Sequence, residues 1–147
     1  MSHWILILHL AATLFMTGVI WFVQVVHYPL YRLVGVAQFA AYESSHTFRT
    51  TFVVAPPMLI EMVTAVWMLW QRPDGISAKS LWLNFILLIV IWLSTALVQS
   101  PIHGVLTKGY NERAIQLLVL SNLLRTVCWS ARSIIVCSWV MNLLSRC

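Results

Sequence analysis

Three of the five histidines in this chain, His27, His46 and His103, fall beside the ends of long apolar runs, and Glu43 precedes His46 by three residues. Imidazole nitrogens and a carboxylate so placed can ligate a metal, exchange a proton or hydrogen-bond a polar ligand. Glu43 and His46 share one helical face as an ExxH pair, a unit that dinuclear carboxylate sites in helix bundles use twice. Such a site needs further carboxylates, and the chain has four acidic residues in all. The pattern leaves a mononuclear set open, His27, His46 and His103 with Glu43 as a further ligand, with Zn, Cu or Fe as suitable ions. Interfacial histidines bonded to backbone or lipid headgroups account for the same spacing without a metal.

A second group lies inside the apolar runs. Glu61, Arg125 and Arg132 are charges where lipid would surround an isolated helix, at a cost of roughly 2.5–3.5 kcal/mol each. Each needs a partner, so Glu61 is expected to face Arg125 or Arg132. One carboxylate cannot neutralise two guanidinium groups, which leaves positive charge for an anionic ligand. These three residues are the candidate catalytic or ion-path set.

Polar residues at steps of three and four accompany them. The stripes are His9, Thr13, Thr17, Gln24 and His27 or Tyr28; Thr50, Pro57, Glu61 and Thr64; Asn84, Thr95 and Gln99; and Asn122, Arg125, Trp129 and Arg132. Lipid satisfies none of these groups, so each stripe should turn inward. His9, Gln24, His27, Tyr28, Gln99, Asn122 and Trp129 are the candidate cofactor-binding residues. Inward histidines suit an axial haem position and arginines suit propionates, while the flat aromatic walls suit a quinone. Interhelical hydrogen-bond glue is the ligand-free account of the same stripes.

The elements that must hold these residues are membrane spans. Of the 147 residues, 61% are hydrophobic and 9% charged, with mean hydropathy +0.85. A soluble domain is about a quarter charged. Four runs, near 4–26, 50–70, 81–100 and 114–143, are long enough to cross a bilayer core of about 30 Å. Pro29 should end or bend the first, and the helical pattern near 36–48 suggests a short interfacial helix between the first two. QRPDG at 71–75 is a turn, and the last helix can start at Asn111. The expectation is one all-α domain over 1–147, an up-down integral membrane four-helix bundle with both termini on one side. Trp4, Trp67, Trp70, Trp82 and Trp139 fit aromatic belts.

Cys128, Cys137 and Cys147 form no CxxC pair and read as ordinary apolar or terminal residues. The net charge of +5 is dispersed, which argues against a nucleic-acid partner. Walker, HExxH, GxSxG and dinucleotide motifs are lacking, which disfavours hydrolases and nucleotide-driven chemistry.

The opening LHLAATLFMTGVIWFVQVVHYPLY resembles the first span of the haem-containing small protoporphyrinogen oxidase family and of copper-resistance CopD-like proteins. His9, Gly18, Trp21, Phe22 and Pro29 carry the likeness, over about thirty residues. The whole chain is more similar to uncharacterised small four-span bacterial membrane proteins. The resemblance implies His9 as a haem ligand and a bacterial inner-membrane location. Three functions stay open at this stage. They are a membrane oxidoreductase binding haem, quinone or a transition metal; a proton or small-anion transport protein; and an accessory subunit of a larger membrane complex. The lipid bilayer is the expected partner, with a homo-oligomer as a further possibility.

Overall fold

The computed structural model describes residues 3–145, so Arg146 and Cys147 lie outside the described residues. Four helices in it are long and apolar enough to cross a membrane. Span one is Trp4–Leu33, span two Phe39–Trp70, span three Ala78–Leu106 and span four Glu112–Leu144. Each packs against the next, and span four closes the ring against span one.

Local chemistry sets the starts of the last two spans. The Ser77 hydroxyl accepts the Ser80 N–H at 3.2 Å, and Asn111 Oδ1 accepts the Ala114 N–H at 2.9 Å. Each side chain satisfies a donor that the first turn of a helix leaves orphaned. The turn before span three passes through Gly75 at φ 81°, a conformation that a side chain disfavours.

Span one does not stop at Pro29. A π turn, Val23–His27, precedes it, and the Tyr28 N–H reaches back five residues to the Val23 carbonyl. The helix then resumes through Tyr28–Leu30 and ends in a tight turn, Tyr31–Leu33. Span three repeats the device. Its π turn, Thr95–Gln99, ends two residues before Pro101, with the Ser100 N–H bonded to the Thr95 carbonyl. A wider turn just before a proline gives the chain a way past a residue that lacks an N–H, and such turns recur at functional sites.

The expected short interfacial helix is not a separate element. The pattern near 36–48 runs into span two as one helix, Phe39–Trp70, which continues through Pro56 and Pro57. Neighbouring helices in a bundle accommodate such prolines.

Three apolar clusters stack along the bundle. Leu6, Met68, Ile76, Leu81, Val136 and Trp139 pack at the end near the chain termini. Met16, Ile20, Met58, Ile91, Cys128 and Trp129 fill the middle. Tyr28, Tyr31, Phe39, Leu106, Ala114, Ile115 and Leu118 close the far end. Polarity is inverted relative to a soluble domain. Phe15, Val63, Leu97 and Ile134 are exposed, whereas His9, Glu43, Glu61, Asn84, Gln99, Asn122, Arg125 and Arg132 are buried. That is the arrangement a bilayer requires. Trp4 and Trp70 are 73% and 86% exposed, as belt residues should be, but Trp139 is only 4% exposed. Its indole N–H donates to Ser80 Oγ at 2.7 Å, so this tryptophan packs inside the bundle instead of marking its rim.

Candidate functional site

The inward stripes build two polar layers. The deeper one draws on all four spans. Glu61 Oε1 accepts from Arg132 Nη1 at 2.5 Å and from Thr13 Oγ1 at 2.9 Å. Trp129 Nε1 donates to Glu61 Oε2 at 3.1 Å. Arg132 Nε donates to Asn84 Oδ1 at 2.8 Å, and its Nη2 lies 3.5 Å from His9 Nε2. The Thr64 hydroxyl gives its proton to the Ile60 carbonyl at 2.6 Å, so it accepts from His9 Nδ1 at 2.7 Å. His9 is therefore held with its proton on Nδ1 and its Nε2 toward Arg132. Both ring nitrogens of the residue that the resemblance implies as a haem ligand are engaged. Neither Glu61 nor Arg132 lines either of the cavities described below. The layer does the work of a buried ion pair whose remaining atoms are bonded, holding four helices in register.

Of the two possible partners for Glu61, the structure selects Arg132. Span two begins at Phe39, so Glu61 stands about six turns from its start. Arg132 stands about five and a half turns into span four, whereas Arg125 is nearly two turns shallower.

The second layer lies toward the far end and collects most of the remaining candidates. His27 Nε2 and His46 Nδ1 are 2.9 Å apart, and Thr50 Oγ1 is 3.1 Å from the same His46 nitrogen. His103 Nδ1 bonds the Glu43 carboxylate, and its Nε2 lies 3.0 Å from the Tyr28 hydroxyl. This is a carboxylate–imidazole–phenol line assembled from spans two, three and one. Tyr28 in turn borders the Arg125 guanidinium of span four. Asn122 Nδ2 donates to Gln24 Oε1 at 2.9 Å, and its own Oδ1 accepts from Arg125 Nη1 at 3.3 Å. Gln99 Nε2 donates to Ser121 Oγ at 2.8 Å.

The ExxH pair thus splits: Glu43 serves His103 and His46 serves His27. His27, Glu43, His46 and His103 do come together, with ring centroids of 4.4 Å for His27–His46 and 5.7 Å for His46–His103. His27 Nε2, His46 Nδ1 and both His103 nitrogens are engaged in hydrogen bonds. Among the described residues, no group of three or more His, Cys, Asp or Glu side chains is placed to hold a metal ion.

The outer layer is incomplete. Arg125 Nε, Gln99 Oε1, Glu43 Oε2 and Tyr31 Oη are buried without a hydrogen-bond partner. Arg125 has no carboxylate against it among the described ion pairs, and its guanidinium lies 5.3 Å over the Trp129 ring. Two of these residues, Arg125 and Gln99, line a cavity of 380 Å³. Arg125, Gln99, Tyr28, His46 and His103 give it a polar wall, while Met16, Ile20 and Val54 give it an apolar one. An apolar cavity with a few convergent polar groups is the usual form of a small-molecule site.

Tyr31 is the residue of this second layer that periodicity underrated. It is fully buried against Phe39, Tyr42, His27 and His46, beyond a π turn that shifts its helical face. Its position in the aromatic cluster HYPLY was the available signal.

Fold and geometry together define a small polytopic membrane protein that carries polar groups inside a four-helix bundle and meets the lipid bilayer on its outer face. Comparison with protein-family models, with curated proteins and with solved structures finds no match.

Proposed function

We propose that the protein binds a quinone-type ligand, lipid-soluble and bearing a carbonyl or phenolate oxygen, in the cavity beside Arg125. The observation that carries this reading is Arg125 itself. A buried guanidinium without a carboxylate is costly, and an oxygen-bearing ligand offsets that cost. The Tyr28 and His103 rings and the apolar wall suit a planar head group, and a cavity of 380 Å³ lies in the range of ligand sites. The Tyr28–His103–Glu43 line is suited to exchanging a proton with the ligand oxygen, as a quinone requires when it gains or loses electrons. On this reading the protein is a small membrane oxidoreductase or a redox-ligand carrier.

The test is a titration of the protein in lipid nanodiscs with a benzoquinone bearing a decyl tail, read by calorimetry. Saturable binding that Arg125→Met abolishes is the expected result. Absence of saturable binding, or equal binding by Arg125→Met, would overturn it. The same guanidinium supports a second reading, in which a small inorganic anion is the ligand. Chloride or phosphate flux in proteoliposomes, lost in Arg125→Met, would favour that one.

A further inference from the structure

We propose that the crevice between spans one and two holds the alkyl or isoprenoid tail of the ligand whose head sits in the internal cavity. The inference rests on the quinone-binding reading and adds to it the position of the tail. A groove of 620 Å³ opens between these two helices toward the surrounding lipid. Phe15, Gly18 and Phe22, at steps of three and four, line it from span one, and Arg49, Thr50 and Val53 line it from span two. Phe15, Phe22 and Val53 are about half exposed along its edges.

Polarity in the groove is one-ended. His27, His46, Arg49 and Thr50 stand together near the far-end turns of the two helices, and the other lining residues are apolar. A single apolar chain attached to an oxygenated head matches that distribution. A wholly apolar lipid tail sets hydrocarbon against the polar end, and a small polar solute leaves the apolar length unfilled.

The groove also has a wall in common with the internal cavity. Val19, Val23, His46, Thr50 and Val54 line both spaces. The partition is thus one side chain thick, and the His46 imidazole, bonded to His27 and Thr50, is its polar part. Gly18 sets the width on the lipid side: a Cβ there would meet no atom within 4 Å. A Cβ at position 18 therefore has open space, and a larger side chain there extends into the groove.

Two probes in nanodiscs test the idea: the decyl benzoquinone, and the same ring carrying a methyl group in place of the tail. Gly18→Phe should weaken binding of the decyl compound by about tenfold or more, while binding of the methyl compound stays unchanged. Gly18→Ala should bind both as the parent protein does. Equal binding of the decyl compound by Gly18→Phe, or an equal loss of both probes, would overturn the tail assignment and leave the binding reading standing. Failure of the parent protein to bind either probe removes the binding reading and this inference with it. Should Gly18→Phe fail to fold, Val53→Trp fills the same groove from span two and is held to the same outcomes.

Discussion

Trp129 touches both polar layers and has a different neighbour on each side. Its indole N–H donates to Glu61, and its ring lies under Arg125. On the Glu61 side, the carboxylate takes bonds from Thr13, Trp129 and Arg132, and the guanidinium reaches Glu61, Asn84 and His9. On the Arg125 side, the guanidinium has one amide oxygen, the Tyr28 phenol and an aromatic face, its Nε is buried without a hydrogen-bond partner, and the residue lines a cavity. Both arginines are buried in the same helix. The difference separates a charge used to assemble the bundle from a charge kept for something outside the chain. Intramembrane ionisable residues are functional candidates by default, yet here the more heavily bonded one is the less suited to bind a ligand.

The contrast can be broken by mutation. The largest effect should come from Glu61→Gln, which leaves Arg132 buried without its anion. The expected loss is about 3–5 kcal/mol of stability, seen as a lower melting temperature in detergent. An unchanged melt would mean that the deep layer is not a lock. Glu43→Gln should cost less, about 1–3 kcal/mol, because it weakens the hold on His103, which is partly exposed. Its second readout is quinone affinity, which should fall with the loss of the oriented imidazole. Trp139→Phe removes one indole bond to Ser80 and should cost about 1 kcal/mol, without altering ligand binding. The smallest effect on stability, and the sharpest for the comparison, belongs to Arg125→Met. Its melting temperature should be unchanged or higher, since an uncompensated buried charge is exchanged for an apolar side chain of similar length. A large drop would place Arg125 with Arg132 among the assembly residues.

The spans were legible because lipid imposes a simple rule on length and polarity, and the inward stripes followed from steps of three and four. The meeting of His27, His46 and His103 followed from connectivity alone, since an up-down chain returns those three ends to one surface. Depth was harder. Counting Glu61 from the apolar run at residue 50 places it level with Arg125, whereas counting from the true helix start at Phe39 places it level with Arg132. The polar segment YESSHTFR hid that start, because its helical turns continue span two in a region where hydropathy falls. Partner choice within a layer was not legible either. That His103 takes Glu43 while His46 takes His27 depends on side-chain directions that periodicity does not carry.

The two π turns carry a consequence for insertions and deletions. Each spreads one extra residue over a turn, so the side chains beyond it are rotated by about 100° relative to an uninterrupted α-helix. Gln24 and His27 lie within the first and Gln99 within the second, with Tyr28 and His103 just past them. Removing one residue from a membrane helix ordinarily misplaces everything that follows. Deleting Val25 or Val98 would instead return the backbone to a regular α-helix and keep the span, while swinging Tyr28 or His103 off the cavity wall. At these two places a change in chain length is mild for the helix and severe for the site, so sequences that keep the pocket should keep the residue count between Gly18 and Pro29, and between Ser94 and Pro101, even where the side chains differ.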